Sequence, residues 1–302
     1  MTATAVEFRQ QIDPDGTLER LLESAATLSY DPDQEIDWDA PLDPTKYGLN
    51  PEWSTLYGTR LWDEMSEEQR IALTRHEVGS IMSTGIWFEM ILQQMVLRDQ
   101  YCGVYGGSEF QFALTEIADE CRHSLMFAKT CSKMGVPHYK PKRHVRELAR
   151  GLKTLAGGEI AYGGILVAEE ILDVMQRDWL RGENVLHEVR TTSKIHVVEE
   201  ARHMKFARHE IREHLKDASP LRRKASAAFI AGAAKFVVES MVSDEVYANV
   251  GLDRERAIAE AKANTHHHNL MRMSCVHLMD FLSEAGLLTP YAMRLYRSVH
   301  ML

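Results

Sequence analysis

Apolar residues recur at helical spacing over four long stretches of the chain. In the first, Ile71, Val78, Ile81, Met82, Ile86, Met90, Ile91 and Met95 mark a helical stripe. Ser66-Glu67-Glu68-Gln69 supplies an N-cap and a capping box, so a helix is predicted over about 66–102, ended by Gly103, Gly106 and Gly107. The second stretch, 108–134, carries Phe112, Leu114, Ile117, Met126 and Phe127 and is stopped by Gly135 and Pro137. The pattern predicts a third helix over 159–180 and a fourth over 184–215, with Gly182 between them. Two long helical hairpins result.

Outside these four the pattern is weaker. Residues 1–55 are rich in Asp and Pro, as in Asp31-Pro32-Asp33 and Pro41-Leu42-Asp43-Pro44, and read as an irregular surface arm with one short helix near 17–28. A basic segment, 140–153, connects the hairpins. Past Ser219-Pro220 the segments 221–250, 254–264, 266–285 and 290–300 also read as helices that would cover the bundle. The expectation is an all-α chain forming one domain over 1–302: a surface arm (1–55), a four-helix core (67–215) and a helical cover (220–302).

Composition narrows the function. Hydrophobic content of 45% is enough for a continuous core, and a net charge of −9 with pI near 5.9 argues against nucleic acid as a partner, because phosphate binding needs clustered Lys and Arg. The richest apolar run, 227–238, is interrupted by Lys235 and is shorter than the ~18 to 20 residues of a membrane span. The N-terminus, with Glu7, Asp13 and Asp15, has no secretory h-region, so a cytoplasmic location with no membrane contact is expected. Cys102, Cys121, Cys131 and Cys275 form no C-x-x-C pair and are expected to be reduced.

The candidate chemistry sits in Ile195–His203. On a helix His196, Glu200 and His203 fall at i, i+4 and i+7, one stripe of two imidazoles and a carboxylate, a donor set suited to iron, manganese or zinc. Glu200-Ala201-Arg202-His203 repeats an earlier Glu120-Cys121-Arg122-His123. Two E-x-x-H pairs are about what chance supplies, but Glu89 precedes Glu120 by 31 residues and Glu169 precedes Glu200 by the same 31. At ~1.5 Å per residue the paired carboxylates of each hairpin come to similar heights.

Each candidate has a blander reading, since most helix carboxylates face solvent. Glu89 lies among Ile86, Gly85 and Leu92, where an unpaired charge is costly; its rival Glu77 is too far upstream for the hairpin. Glu169 is flanked by Ile165, Leu166 and Leu172, whereas Glu170 shares a side with Asp173 and Arg177 and reads as an ordinary polar face. His266-His267-His268 cannot share one site on a helix, because neighbours point about 100° apart, and reads as surface polarity or a contact near a site. Glu116, Asp119, Arg122, Asp173 and Arg202 are expected to support the ligands. Taken together, two E-x-x-H pairs and two upstream Glu make the di-metal set of ferritin-like bundles.

His196 goes beyond that six-ligand set. With it, the pattern resembles the p-aminobenzoate N-oxygenase family of non-haem di-iron enzymes, whose site adds a third histidine four residues before the second E-x-x-H. The resemblance maps onto Glu89, Glu120, His123, Glu169, His196, Glu200 and His203 and covers about 67–215. It implies two irons, with manganese as the alternative, O₂ activation, oxidation of an aromatic amine to hydroxylamine and nitro products, an external electron donor and a soluble homodimer. Thr84, Gly85 and Ile86, one turn from Glu89, include no Arg or Lys to clamp a substrate carboxylate, which counts against p-aminobenzoate itself. Ile81, Met82, Ile86, Met126, Phe127 and Ile165 are expected to form an apolar pocket wall that would also suit hydroxylation or desaturation. A radical-generating subunit would want a tyrosine where Phe127 stands, and iron storage would want a shorter chain.

Overall fold

A computed structural model describes residues 16–101 and 105–302. Cys102 and Gly103 lie outside the described residues. The helices are α1 (Thr17–Thr27), α2 (Pro32–Glu35), α3 (Arg60–Glu64), α4 (Glu67–Gln100), α5 (Ser108–Met134), α6 (Arg143–Leu155), α7 (Gly158–Trp179), α8 (His187–Leu215), α9 (Pro220–Met241), α10 (Glu245–Asn249), α11 (Arg254–Ala263), α12 (Thr265–Ser274), α13 (Val276–Glu284) and α14 (Pro290–Ser298). Among the described residues the β pairing is one isolated bridge, Tyr47 to Val185. The chain is all-α, as the periodicity predicts, and the four core helices lie within a few residues of their expected limits.

Local chemistry sets those limits. Gln69 N donates to Ser66 Oγ (3.3 Å) and Ser66 N to Gln69 Oε1 (3.2 Å), closing the capping box that starts α4. Gly135 ends α5 with φ 68°, a left-handed conformation that costs a glycine little.

The hairpins α4–α5 and α7–α8 pack side by side with their turns at opposite ends. Near the start of α7, Tyr162 OH donates to Asp99 at the end of α4 (3.0 Å). At the other end, Gly48 N donates to Thr74 Oγ1 near the start of α4 (3.0 Å), while the neighbouring Tyr47 bonds Asn184 and Leu186 in the α7–α8 turn (2.9 Å each). The chain from Met134 to Gly158 must therefore travel the length of the bundle.

That crossing corrects one expectation. The basic segment is not a plain connection but helix α6, whose Val145 and Ala149 are buried while Arg146 and Arg150 face outward. Two stretches read as single helices are also broken, by 242–244 between α9 and α10 and by Cys275 between α12 and α13. By length and composition the stretch Pro220–Asn249 would suffice to cross a membrane, although its uninterrupted apolar run is short; a third of its most apolar window is buried. Its helix α9 packs against α7 and α14.

Two buried acids away from the bundle's midpoint carry a pH signature. Burial pushes Glu77 up to about 7, against hydrogen bonds from Thr55 N and Oγ1, and burial with the charges of Glu109 and Asp99 pushes Glu210 up to about 9. A carboxyl raised in the folded state contributes stability that is full below its ordinary value of 4.5 and is lost as pH rises through the raised value. The metal-free protein is therefore expected to lose stability between pH 6 and 9. Glu210→Gln should flatten that loss by on the order of 1 kcal/mol per pH unit in its upper part, read from denaturant melts; parallel curves for both proteins would contradict the assignment.

Candidate metal centre

The four core helices bring all seven expected ligands together midway along the bundle. Glu89 comes from α4, Glu120 and His123 from α5, Glu169 from α7, and His196, Glu200 and His203 from α8; each is at most 3% exposed. His123 Nδ1 stands 3.3 Å from Glu120 Oε2 and 3.2 Å from Glu200 Oε1. His203 Nδ1 stands 3.1 Å from both Glu120 Oε1 and Glu200 Oε1. His196 Nε2 is 3.7 Å from Glu200 Oε1 and 4.0 Å from Glu169 Oε2, and Glu89 clusters with His123 and His196. Two donors each ~2.1 Å from one cation and at right angles to it are ~3 Å apart, a spacing that the 3.1–3.3 Å separations around His123 and His203 match.

The other nitrogen of each motif histidine is held by the opposite motif. His123 Nε2 donates to Glu199 Oε2 (2.8 Å) and His203 Nε2 to Asp119 Oδ2 (3.2 Å), leaving each Nδ1 aimed at the centre. The two arginines of the repeat then hold the two acids. Arg122 bonds Asp119 and Glu199 (3.3 Å to the latter), and Arg202 bonds Asp119 (3.2 Å) and the Leu28 carbonyl (2.8 Å), 4.0 Å from Glu199. Asp119, Arg122 and Arg202 were expected here, and Glu199 was missed. The signal was available, because both copies carry an acid just before the ligand Glu, so the repeat is [D/E]-E-x-R-H.

The electrostatics call for cations. Burial, then the charge of Glu120, raises Glu89 well above the carboxylate range; burial, Glu200 and Glu120 do the same to Glu169. Burial opposes ionisation of Glu200, but His203 and His196 hold it well below its ordinary value. Burial likewise opposes protonation of His123 and His203, yet the carboxylates around them raise both. His196, with burial dominant, falls to about 4 and keeps a neutral ring. Protons thus occupy positions that metal ions would take. Four carboxylates and three neutral imidazoles total −4, which two divalent cations would cancel.

Orphaned atoms agree. Glu89 Oε1, Glu169 Oε2, Glu200 Oε2 and His196 Nδ1 are buried with no hydrogen-bond partner among the described residues, an arrangement that folded proteins seldom tolerate without an ion or water. The donor set fits a carboxylate-bridged pair of transition-metal ions, with Glu120 and Glu200 facing both motif histidines.

Other expectations need correction. Glu170 is not on a solvated face but buried at 5% exposure against Arg208. Asp173 pairs with Arg177 (2.6 Å) rather than with a candidate ligand. Glu116 is buried beside Glu120 and His203, and burial pushes it up to about 8. Of the triple histidine, His266 Nε2 bonds the Glu52 carbonyl (2.9 Å) and His268 stacks on His300 at 3.5 Å. A separate trio, Asp99, Glu210 and His214, lies near the α4 C-terminus. Among the described cysteines Cys121, Cys131 and Cys275 are free thiols.

One cavity, of about 570 Å³, opens onto Glu89, Glu169 and His196. Its wall comes from α4, α6, α7 and α9, and of the six apolar residues expected to form it only Ile81 does; Met82, Met126, Phe127 and Ile165 are packed core. The expected wall was drawn from the four ligand helices alone, whereas half the lining is supplied by the crossing helix and the cover. Gly151, Gly164 and Gly232 line it from three helices, and a Cβ at any of them would meet no atom within 4 Å. A glycine inside a helix costs roughly 1 kcal/mol relative to alanine, and here each leaves space that a side chain would fill.

A family model described as P-aminobenzoate N-oxygenase AurF matches residues 12–286. Curated relatives from Mycobacterium bovis and from two strains of Mycobacterium tuberculosis, each described as an uncharacterized protein, are 28% identical over 206 residues. The matched segment is 66% of this chain and spans 60% of each relative's length.

Proposed function

The chain belongs to the p-aminobenzoate N-oxygenase AurF family, a ferritin-like di-iron family, and from that membership we propose that it is a di-iron oxygenase. In this reading Glu89, Glu120, His123, Glu169, His196, Glu200 and His203 hold two irons, and an O₂-dependent oxidation acts on an apolar substrate seated in the cavity. An aromatic amine without a carboxylate is the first candidate. The observation that carries the reading is the junction of the two features: the cavity ends on Glu89, Glu169 and His196.

Two irons, when bound, would supply the electrons that cleave O₂. The chain's residues do the rest. Asp119 and Glu199 fix the histidine rings, and Arg122 and Arg202 fix those acids, so the donors keep their aim when charge changes at the centre. The apolar wall excludes water from the face formed by Glu89, Glu169 and His196. Cationic side chains are absent from the described cavity lining, so the substrate is held there by shape and apolar contact. That lining also favours a second reading, hydroxylation or desaturation of a hydrocarbon. An external electron donor, a homodimer and a cytoplasmic site of action complete the proposal.

The test is iron content with O₂ consumption by the reduced protein across a panel of aromatic amines and hydrocarbons. Two irons per chain and substrate-stimulated O₂ uptake are expected; a folded chain that binds at most one metal would overturn the proposal. His196→Ala should keep most of its iron, because six ligands remain, while turnover falls by at least ~10-fold. Equal turnover in this variant would remove His196 from the site.

A further inference from the structure

The cavity has an outer end whose chemistry differs from the inner one. Leu148 (52% exposed), Leu155 (84%) and Phe229 (60%) line it and also stand at the surface, so the apolar wall runs outward between α6 and α9. Leu148 borders in addition a shallow depression with Arg143, His144 and Glu147. Residues 140–153 hold six Lys or Arg against one acid, in a chain whose net charge is −9. Three of those cations are engaged: Lys142 with Asp244, Arg150 with Glu147, and Lys153 with Gln94. Lys140, Arg143 and Arg146 have no side-chain partner among the described residues.

The inner end excludes an anion. The polar side chains of the described lining are Thr84, Trp87, Glu89, Glu169, His196 and Ser240, of which none is a Lys or Arg. A negatively charged group inside would lose its hydration with no Lys or Arg to replace it and would face Glu89 and Glu169, whose charge together with that of Glu120 and Glu200 already balances two divalent ions. At the rim the same group stays hydrated and meets the free guanidinium of Arg143.

Taking the cavity as the substrate site of the oxygenase reading above, in its hydrocarbon form and in place of the aromatic amine, we infer that its substrate is a single-chain anionic amphiphile. The apolar body fills the cavity, the oxidisable end lies toward Glu89, Glu169 and His196, and the anionic head remains outside, received by Arg143 of α6, which shares the outer depression with Leu148. The depth of the cavity, whose inner end is formed by Glu89, Glu169 and His196, each at most 3% exposed, argues for a molecule that enters, since a bilayer or an acidic protein would cover only the rim.

The test is calorimetric titration of the full-length, metal-free protein with decanoate, decanol and decyltrimethylammonium, each below its micelle concentration. Decanoate is expected to bind one per chain, at least about ten-fold tighter than decanol and tighter still than the cation, with the preference shrinking as salt rises. The charge-reversal variant Arg143→Glu should abolish the preference while leaving decanol within about two-fold. Gly232→Leu, which adds a side chain where a Cβ meets nothing, should weaken both ligands by about ten-fold or more. Equal binding of decanoate and decanol, loss of both in the charge-reversal variant, no effect of Gly232→Leu, or association with anionic vesicles in place of monomers would each overturn the inference. Neither metal nor O₂ enters the titration, so a chain that binds decanoate but holds no iron would sink the oxygenase reading and leave the cavity as a binding site for an anionic amphiphile.

Discussion

Replacing Glu169 with glutamine is expected to cost the protein its iron while making the metal-free chain more stable. Glu169 is 3% exposed, receives no hydrogen bond among the described residues, and is pushed well above the carboxylate range by burial, Glu200 and Glu120. A raised folded value means that its contribution to stability is full below the ordinary 4.5 and declines as pH rises. Glutamine has the same shape and no charge to lose, so the variant should match the parent near pH 5 and exceed it near pH 8 by on the order of 1–2 kcal/mol. The same change removes a donor from the side where His196 and Glu200 wait, and iron affinity should fall by at least ~100-fold. Ordinary packing residues do not behave this way. Denaturant melts at the two pH values and iron content after dialysis read both halves; a destabilised metal-free variant, or one that keeps two irons, would remove Glu169 from the centre.

Arg202→Ala is expected to damage both fold and centre. Its guanidinium is 3% exposed and joins the Leu28 carbonyl, Asp119 and the neighbourhood of Glu199, so it ties the N-terminal arm to the acids that orient both motif histidines. Deleting one member of a buried charge network leaves the others uncompensated, at a cost of about 3–5 kcal/mol. Asp119 and Glu199 would then hold His203 and His123 less firmly, and iron affinity should fall by ~10- to 100-fold. Arg202→Lys retains the charge but not the planar fork and should recover less than half of the stability. Urea unfolding of the metal-free proteins checks the first figure and iron titration the second. Changes below 1 kcal/mol would show the network to be ornamental.

The sequence made the bundle and the clustering of the seven candidate ligands legible because both rest on period and spacing. The apolar stripes of α4, α5, α7 and α8 and the shared 31-residue offset are properties of a one-dimensional string. Glu199 escaped because an acid beside another acid reads as a polar face until His123 Nε2 is seen 2.8 Å away. Glu170 misled for the converse reason, since the cation that shelters it, Arg208, comes from α8 and not from its own helix. The cavity could not be read at all. Its wall depends on how α6 crosses the bundle and where α9 lies, and Gly151, Gly164 and Gly232 signal empty space only once three helices face one another.

The central claim is that two cations sit between the hairpins. Crystals grown with ferrous iron under anaerobic conditions and measured at the iron absorption edge test it most directly. Two anomalous peaks ~3.5–4 Å apart, with Glu120 and Glu200 between them and His123 and His203 on either side, are the predicted result. A single peak, no peak, or iron confined to the Asp99, Glu210 and His214 trio would contradict it.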